Sequence, residues 1–470
     1  MKNPKALAKY LARYSSCFRD EHTNHFISLL EFLQHKTEQK SISRQKSHYQ
    51  HGTVIPAFNE STEFIQRFAQ LPTTQPQLLI VVTNCPTYAS NEAKFATAEF
   101  IENCQRYWAK ENVMEGVTFG QINSGIDLLL LDITEQRGWL DSLQSGVGFA
   151  RKIGMDIAIN LWQRGFIQSP WIYCSDADAF WPDNYFTFTD NESSSINEDS
   201  KGAAVFAFQH QHSADDTSLS TAAAIYDCSL RYYVLGLRWS NSPWAYHTIG
   251  STLMIHSLSY VETRGFPVRE AGEDFYLLNK IAKTGNIYNL DAPCLKLSDR
   301  TSERVPFGTG PAVNKIQQQS SSNDFLMYHP KLFELLKAWH ALMPALFEHD
   351  LEVSNNNSEL PEDEFHAMVQ GLKSLGLEKA LQHCRQQAKD PNQFRKHLWQ
   401  WFDGFRTLKF IHWLRDNQYP SIGFNDWASL LEQQQIPFIT QVKKSESARA
   451  LSQQLQQLEF CQLPLVNGLQ

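Results

Sequence analysis

The sequence predicts an α/β protein whose mostly parallel central sheet is flanked by a helical N-terminal segment and a helical C-terminal domain. Short apolar runs such as Leu78–Val82 are typical of strands buried on both faces, and amphipathic stretches separate these runs. Helical periodicity dominates before His51 and again beyond Asn323. The 470 residues exceed the size of one small core, so we expect more than one domain.

Changes in composition predict where these regions begin and end. We expect an N-terminal helical segment at residues 1–50, an α/β domain at 51–316 and a helical domain at 324–470. The polar run 317–323 predicts the linker between the last two. The stretches Asp190–Ser200 and His212–Ser220 predict surface loops that interrupt the α/β domain.

Charge and cysteine content limit the classes of function. A net charge of -8 and a pI near 6.1 argue against a broad nucleic-acid surface, which needs a dense basic face. The eight cysteines are scattered without a C-x-x-C pair, as is typical of reduced thiols. The sequence shows no signal peptide and no apolar stretch near the ~18 residues that span a bilayer. We therefore expect a cytoplasmic protein without a transmembrane segment; peripheral membrane contact stays open.

The strongest chemical motif follows the predicted strand Trp171–Ser175. This apolar run leads directly to Asp176 and Asp178, and open α/β sheets bind ligands beyond the carboxyl ends of their strands. Mg²⁺ and Mn²⁺ prefer oxygen ligands, and such an ion can bridge two phosphates of a departing nucleotide diphosphate. The pair predicts a metal-diphosphate site, with Asp178 as the better candidate for direct ligation. An Asp-rich capping turn is the alternative.

A second acidic pair, Glu273 and Asp274, follows the Gly-bounded turn Gly265–Gly272 at a predicted helix start. Acidic side chains are stabilised in a first helical turn, so helix capping is one interpretation. The other is that a carboxylate here accepts the proton of an attacking acceptor hydroxyl, as a general base does.

The predicted strand Thr53–Pro56 ends in a turn that carries Phe58, Asn59 and Glu60. Phe58 could lie against a nucleobase, and Glu60 could accept hydrogen bonds from ribose hydroxyls or base N–H groups. A turn followed by a helix cap is the alternative.

Two basic motifs remain. The segment Gly146–Ala158 predicts a helix with Arg151 and Lys152 near its beginning, where they could pair with a diphosphate or form a solvated helix end. Its Gly-x-Gly is too short for a dinucleotide fingerprint. Arg300 and Arg304 lie in a Gly- and Ser-rich stretch that could clamp an anion or form a surface ion-pair loop.

The order of these motifs resembles that of the family 2 glycosyltransferases and their relatives on the GT-A fold. The resemblance covers roughly residues 51–310. It implies a GT-A domain that moves a sugar from a nucleotide diphosphate sugar, most simply a UDP- or GDP-sugar, to the hydroxyl of an acceptor that the sequence does not name. It also implies Mn²⁺ or Mg²⁺ as the cofactor and a hexosyltransferase-type reaction.

The resemblance implies a role for each motif. The residues expected to border the donor nucleoside and its phosphates are Pro56, Phe58, Asn59, Glu60, Arg151 and Asp176. Gly250 and Ser251 would lie against the donor sugar, because small residues allow close approach to the backbone. Asp274 would be the base of an inverting displacement, with Glu273 in support.

The sequence also departs from the family pattern. Many relatives carry an aspartate after the second strand, whereas Asn84 follows that strand here and leaves the donor base open. The Q-x-x-R-W motif of processive synthases is not found, which favours a single transfer. His329 is the candidate for an additional metal ligand.

Three other interpretations stay open. A retaining glycosyltransferase uses a related fold. A nucleotidyltransferase also combines a metal with paired acids, but normally needs a Gly-rich basic loop after the first strand, where this chain has Ala57–Glu60. The third is a nucleotide-sugar-binding scaffold without catalysis.

Overall fold

A computed structural model describes residues 4–15, 29–36, 48–134, 146–186, 203–213, 217–298, 308–349, 360–443, 445 and 447–461. The chain divides into two compact units. The first comprises Met1–Gln211, Thr248–Ile281 and Gly285–Ser298; the second comprises His212–His247, Ala282–Thr284 and Asp299–Gln470. Among the described residues, no helix has the length and apolar character that a bilayer crossing requires.

A large sheet forms the centre of the first unit. Its strands are β1 (His51–Ala57), β2 (Gln77–Thr83), β3 (Glu111–Met114), β4 (Val117–Asn123), β5 (Ile126–Asp132), β6 (Trp171–Cys174), β7 (Ala179–Phe180), β8 (Ala203–Ser213), β9 (Leu253–His256) and β10 (Asn286–Ser298). They are arranged in the order β3-β4-β5-β2-β1-β6-β9-β8-β10-β7.

The four adjacent strands β5, β2, β1 and β6 run parallel, while β4 and β9 pair antiparallel on either side of them. Every residue of β1, β2 and β5 is buried, in line with the apolar run that each strand contains. The prediction of an α/β protein with a parallel sheet centre is therefore confirmed.

The strand order determines where a ligand can bind. Strand β1 pairs with β2 on one side and with β6 on the other, and all three run in the same direction. The connections from β1 and β6 therefore leave the sheet at the same carboxyl edge, at a point where the strand order reverses. Open α/β sheets form their ligand crevice at such a point.

The described helices follow in chain order. They are α1 (Pro4–Arg13), α2 (Glu63–Ala69), α3 (Asn91–Tyr107), α4 (Val147–Gln163), α5 (Thr217–Trp239), α6 (Ser257–Glu262), α7 (Glu273–Ile281), α8 (Thr309–Gln317), α9 (Lys331–Leu342), α10 (Glu362–Ser374), α11 (Leu377–Gln387), α12 (Pro391–Trp401), α13 (Gly404–Asn417), α14 (Phe424–Glu432) and α15 (Ala448–Cys461). Residues 29–36 are also helical.

Helix α4, which carries Arg151, is buried along most of its length. Fourteen consecutive residues, Gly148–Leu161, are buried. At Gly154 an added Cβ would collide with Val54 of β1 and would approach Val82 of β2 to 3.1 Å. The absence of a side chain there lets the helix lie directly on the parallel strands.

The described residues of the second unit are mainly helical and include the short strand pair β11 (Leu326–Met327) and β12 (Ile422–Gly423). Its apolar core joins α5 to helices of the C-terminal region, including Trp339 of α9 and Trp427 of α14. The predicted linker 317–323 lies within this unit.

The prediction of a surface loop at His212–Ser220 is wrong for the residues of this stretch that the structure describes, 212–213 and 217–220. His212 is a buried residue of β8, and α5 already begins at Thr217. The polar side chain of His212 is tolerated there because Asp227 of α5 accepts hydrogen bonds from the backbone and ring of His212, at 3.1 and 2.5 Å. The other predicted loop, Asp190–Ser200, lies outside the described residues.

Candidate active site

The candidate site is organised around the guanidinium of Arg151, in the first turns of α4. The residue is only 3% exposed. Its Nε donates to Glu273 Oε1 at 3.1 Å, its Nη1 to the Gly250 carbonyl at 2.8 Å and its Nη2 to Asp176 Oδ1 at 2.8 Å. One buried cation therefore joins three segments that are far apart in sequence.

Glycines allow these segments to approach one another. An added Cβ on Gly250 would lie 2.9 Å from Arg151 Cζ, and one on Gly148 would lie 2.7 Å from the Arg269 carbonyl oxygen. The Gly148 N–H donates to that same carbonyl at 3.2 Å. The Gly-x-Gly sequence before Arg151 thus serves close packing of α4 against the turn that precedes Glu273.

Asp274 lies beside this cluster at the start of α7. Its Oδ2 accepts from the Gly250 N–H at 2.9 Å, and its Oδ1 accepts from the Phe275 N–H at 2.7 Å. Burial, together with the negative charge of Glu273, raises the pKa of the Asp274 carboxyl to about 7, although Arg151 and the Phe275 N–H oppose the rise. A carboxyl with such a pKa can release or take up a proton near neutral pH.

Arg151 itself stays charged. Burial acts to lower the pKa of its guanidinium, but the carboxylates of Asp176 and Glu273 outweigh burial and raise that pKa above its ordinary value.

The Asp176–Asp178 turn follows β6 directly. The side chain of Asp176 is 35% exposed and uses Oδ1 for Arg151. Asp178 is half-buried, and its backbone carbonyl accepts from the Ser298 N–H at 3.2 Å. Both carboxylates therefore belong to a turn that is fixed at its backbone and lies at the carboxyl edge of the sheet.

Ser175 is a positioning residue that the sequence analysis missed. Its hydroxyl donates to the Ser251 carbonyl at 3.1 Å and accepts from Trp181 Nε1 at 2.9 Å. It ties the turn of Asp176 to the segment of Gly250 and Ser251. Its position between a buried strand and an aspartate was the available signal.

The residues after β1 and β2 occupy the same edge of the sheet. Pro56 pairs in register with Val82, and the Asn84 N–H donates to the Ala57 carbonyl at 3.2 Å. Phe58 and Glu60 are half-buried, and Asn59 is exposed. The pairing of β1 with β6 makes this group a neighbour of the turn that carries Asp176.

The backbone of Asn59 adopts a left-handed conformation, with a φ of 53°. Asparagine is among the residues that tolerate this region. Its N–H donates to Thr97 Oγ1 at 3.1 Å, which fixes the turn against α3.

Three further candidates remain, namely Arg300, Arg304 and His329. Arg300 and Arg304 fall outside the described residues. His329 belongs to the second unit. There its Nδ1 accepts from the Lys331 N–H at 3.2 Å, its ring stacks on Tyr419 at a centroid distance of 5.4 Å, and burial lowers its pKa. These contacts are those of a residue at the start of α9.

The second unit holds another buried polar group. His212 Nδ1 lies 2.5 Å from Asp227 Oδ1, and its Nε2 lies 3.2 Å from Thr309 Oγ1. Because both ring nitrogens are engaged, a metal could bind His212 only by displacing one of these partners. His210 is buried two positions earlier on β8.

Comparisons with known proteins find similarity among solved structures. No family model matches the sequence, and no curated protein matches it. Among solved structures, "Mannosyltransferase PcManGT from Pyrobaculum calidifontis in complex with GDP-Man and Mn2+" is similar over 75% of this chain and 86% of its own length, with 12% sequence identity and a TM-score of 0.31. A similarity at this level carries no conclusion about function.

The Arg151 cluster predicts a stability effect. We expect Arg151→Lys to lower the free energy of unfolding by about 3 kcal/mol. The ammonium group of lysine cannot replace the planar guanidinium with its several N–H donors, so a buried carboxylate is left poorly paired. Urea denaturation followed by circular dichroism measures this free energy of unfolding. Arg164→Lys, at the exposed end of the same helix, is the matched control and should change little. Equal stability of the two variants would contradict the positioning role of Arg151.

Proposed function

We propose that the first unit is a GT-A-type glycosyltransferase domain that transfers a sugar from a nucleotide diphosphate sugar to an acceptor hydroxyl with the help of Mn²⁺ or Mg²⁺. The observation that supports this proposal is the convergence on Arg151 of Asp176, from the turn after β6, and Glu273, from the start of α7. This convergence occurs at the carboxyl edge of the sheet, where open α/β folds bind ligands.

The donor side of the proposed site is rich in oxygen ligands. Carboxylates of Asp178 and Asp176 fit a hard divalent cation, and Asp178 is the preferred ligand because Asp176 already uses one oxygen for Arg151. When bound, such an ion neutralises the charge that develops on the departing diphosphate. Phe58, Glu60 and Asn84 lie where they could border the nucleoside.

The acceptor side of the proposed site contains the base. Asp274 is oriented by the N–H groups of Gly250 and Phe275, so one carboxylate can face an incoming hydroxyl. In the proposed step the hydroxyl proton passes to Asp274 and the oxygen forms a bond to the anomeric carbon. The bond from that carbon to the diphosphate oxygen breaks, and the nucleotide diphosphate leaves. Glu273 acts indirectly, because Arg151 holds it.

A donor-binding assay tests the first part of this proposal. We expect a UDP- or GDP-sugar with Mn²⁺ to stabilise the protein by about 3 kcal/mol at a hundredfold excess over its Kd, and Asp178→Asn to lose this metal-dependent gain. Thermal-shift measurements with UDP-, GDP-, CDP- and TDP-sugars provide the readout. Asp183→Asn, an exposed aspartate nearby in sequence, should behave like the wild type.

Two results of that assay would count against the proposal. Stronger stabilisation by nucleoside triphosphates than by nucleotide sugars would favour a nucleotidyltransferase. Undiminished Mn²⁺-dependent binding by Asp178→Asn would remove Asp178 from the metal site.

Turnover and its pH dependence test the second part. Asp274→Asn should lower the rate of nucleotide diphosphate release by about 10²-fold while nearly preserving donor affinity. The wild-type rate should rise with pH through about 7, because Asp274 must be ionised to accept a proton and burial raises its pKa to about 7. Asp291→Asn, an exposed aspartate of β10, is the control.

The same raised pKa predicts a stability change. Ionising Asp274 is less favourable in the folded than in the unfolded chain, so its contribution to stability is complete below the unfolded pKa and is lost as the pH rises through about 7. Asp274→Asn should flatten this slope. If Asp274→Asn keeps the wild-type turnover and the wild-type pH dependence of the rate, Asp274 is not the base.

A further inference from the structure

A buried hydroxyl outside the proposed mechanism links helix α1 to the helix that carries Arg151. Tyr10 of α1 is 1% exposed. Its hydroxyl donates a short hydrogen bond to Asp156 and accepts one from Lys152 Nζ at 2.9 Å. Lys152 Nζ also donates to Asp156 Oδ2 at 2.9 Å. The three polar groups satisfy one another inside the first unit.

This triad fixes the turn of α4 in which Arg151 lies. Lys152 is the next residue along the helix, and Asp156 follows one turn later. Burial and the charge of Asp156 raise the pKa of Tyr10 well above its usual value, so the hydroxyl stays protonated and keeps donating. Loss of the hydroxyl would leave Lys152 and Asp156 buried with one partner fewer each.

A chain of aromatic rings forms a second connection from Tyr10 to Arg151. The Tyr10 ring meets the edge of Tyr260 at a centroid distance of 5.9 Å, and Tyr260 meets Phe266 at 5.7 Å. The Arg151 guanidinium lies over the Phe266 ring at 5.8 Å. Pairs of this kind favour one relative orientation of their rings.

The Tyr10 hydroxyl also packs against the turn that leads to Glu273 and Asp274. Gly265 opens this turn with a φ of +71°, and an added Cβ there would lie 2.6 Å from the Tyr10 hydroxyl oxygen. One side chain of α1 therefore contacts both supports of the candidate site, namely α4 and the turn from Gly265.

We propose that Tyr10 is a positioning residue for Arg151, Glu273 and Asp274, and that helix α1 belongs to the frame of the active site. Its effect on turnover rests on the proposed function; its effect on the surroundings of Asp274 does not. Without the hydroxyl, the turn from Gly265 relaxes and the half-buried Asp274 becomes more exposed to water.

A titration of the Asp274 carboxyl tests this proposal without requiring turnover. Full-length protein labelled with ¹³C at aspartate carboxyls is titrated by NMR, and the Asp274 signal is assigned by its loss in Asp274→Asn. We expect Tyr10→Phe to lower the midpoint by about half a unit or more, since better solvation favours the ionised form. Tyr14→Phe is the control, because Tyr14 follows α1 directly and its ring stacks on that of Tyr10 at a centroid distance of 6.3 Å.

The outcomes separate the two proposals. A lowered midpoint in Tyr10→Phe, in a protein that transfers no sugar, supports the positioning role and overturns the proposed function. In an active enzyme, Tyr10→Phe should lower kcat severalfold and leave the donor KM nearly unchanged. A folded Tyr10→Phe with the wild-type midpoint overturns the positioning role. If Tyr10→Phe does not fold, Leu7→Ala, which loosens α1 without removing a polar group, must show the lowered midpoint instead.

Discussion

The burial of the Arg151 guanidinium determines which segments of the first unit must lie close together. A cation that is removed from water must be surrounded by acceptors, because an unpaired buried charge costs several kcal/mol. Arg151 meets this requirement with carboxylates of Asp176 and Glu273 and the carbonyl of Gly250. The glycines before and opposite Arg151 exist for this reason, since side chains there would hold the segments apart.

The same constraint gives two adjacent acids different chemistry. Glu273 forms an ion pair with Arg151, and this pair holds the start of α7 against α4. Asp274 accepts hydrogen bonds from backbone N–H groups instead. Burial, together with the negative charge of Glu273, raises the pKa of its carboxyl to about 7 although the Phe275 N–H opposes the rise. A neighbouring pair of carboxylates is thereby divided into one that positions and one that can exchange a proton.

The sequence predicted the parts of this site that depend on local pattern. Apolar runs identified the parallel strands, and the position of Asp176 after such a run placed it at the carboxyl edge. The role of Arg151 was harder to predict, because a basic residue near a helix start usually faces water or a ligand. The apolar character of α4 on all sides was the signal that its charges are buried. The prediction of a loop from His212 was wrong for a related reason, since the polar ring of His212 finds its partners, Asp227 and Thr309, only in the folded chain.

The most direct test of the central claim is a crystal structure of Asp274→Asn with a nucleotide diphosphate sugar and Mn²⁺. If one crevice serves both ends of the reaction, the ion binds Asp178, the diphosphate lies beside it, and the sugar carbon faces residue 274. A donor bound away from these positions, or Asp178 and residue 274 facing surfaces that no single substrate can reach, would contradict the proposed enzyme.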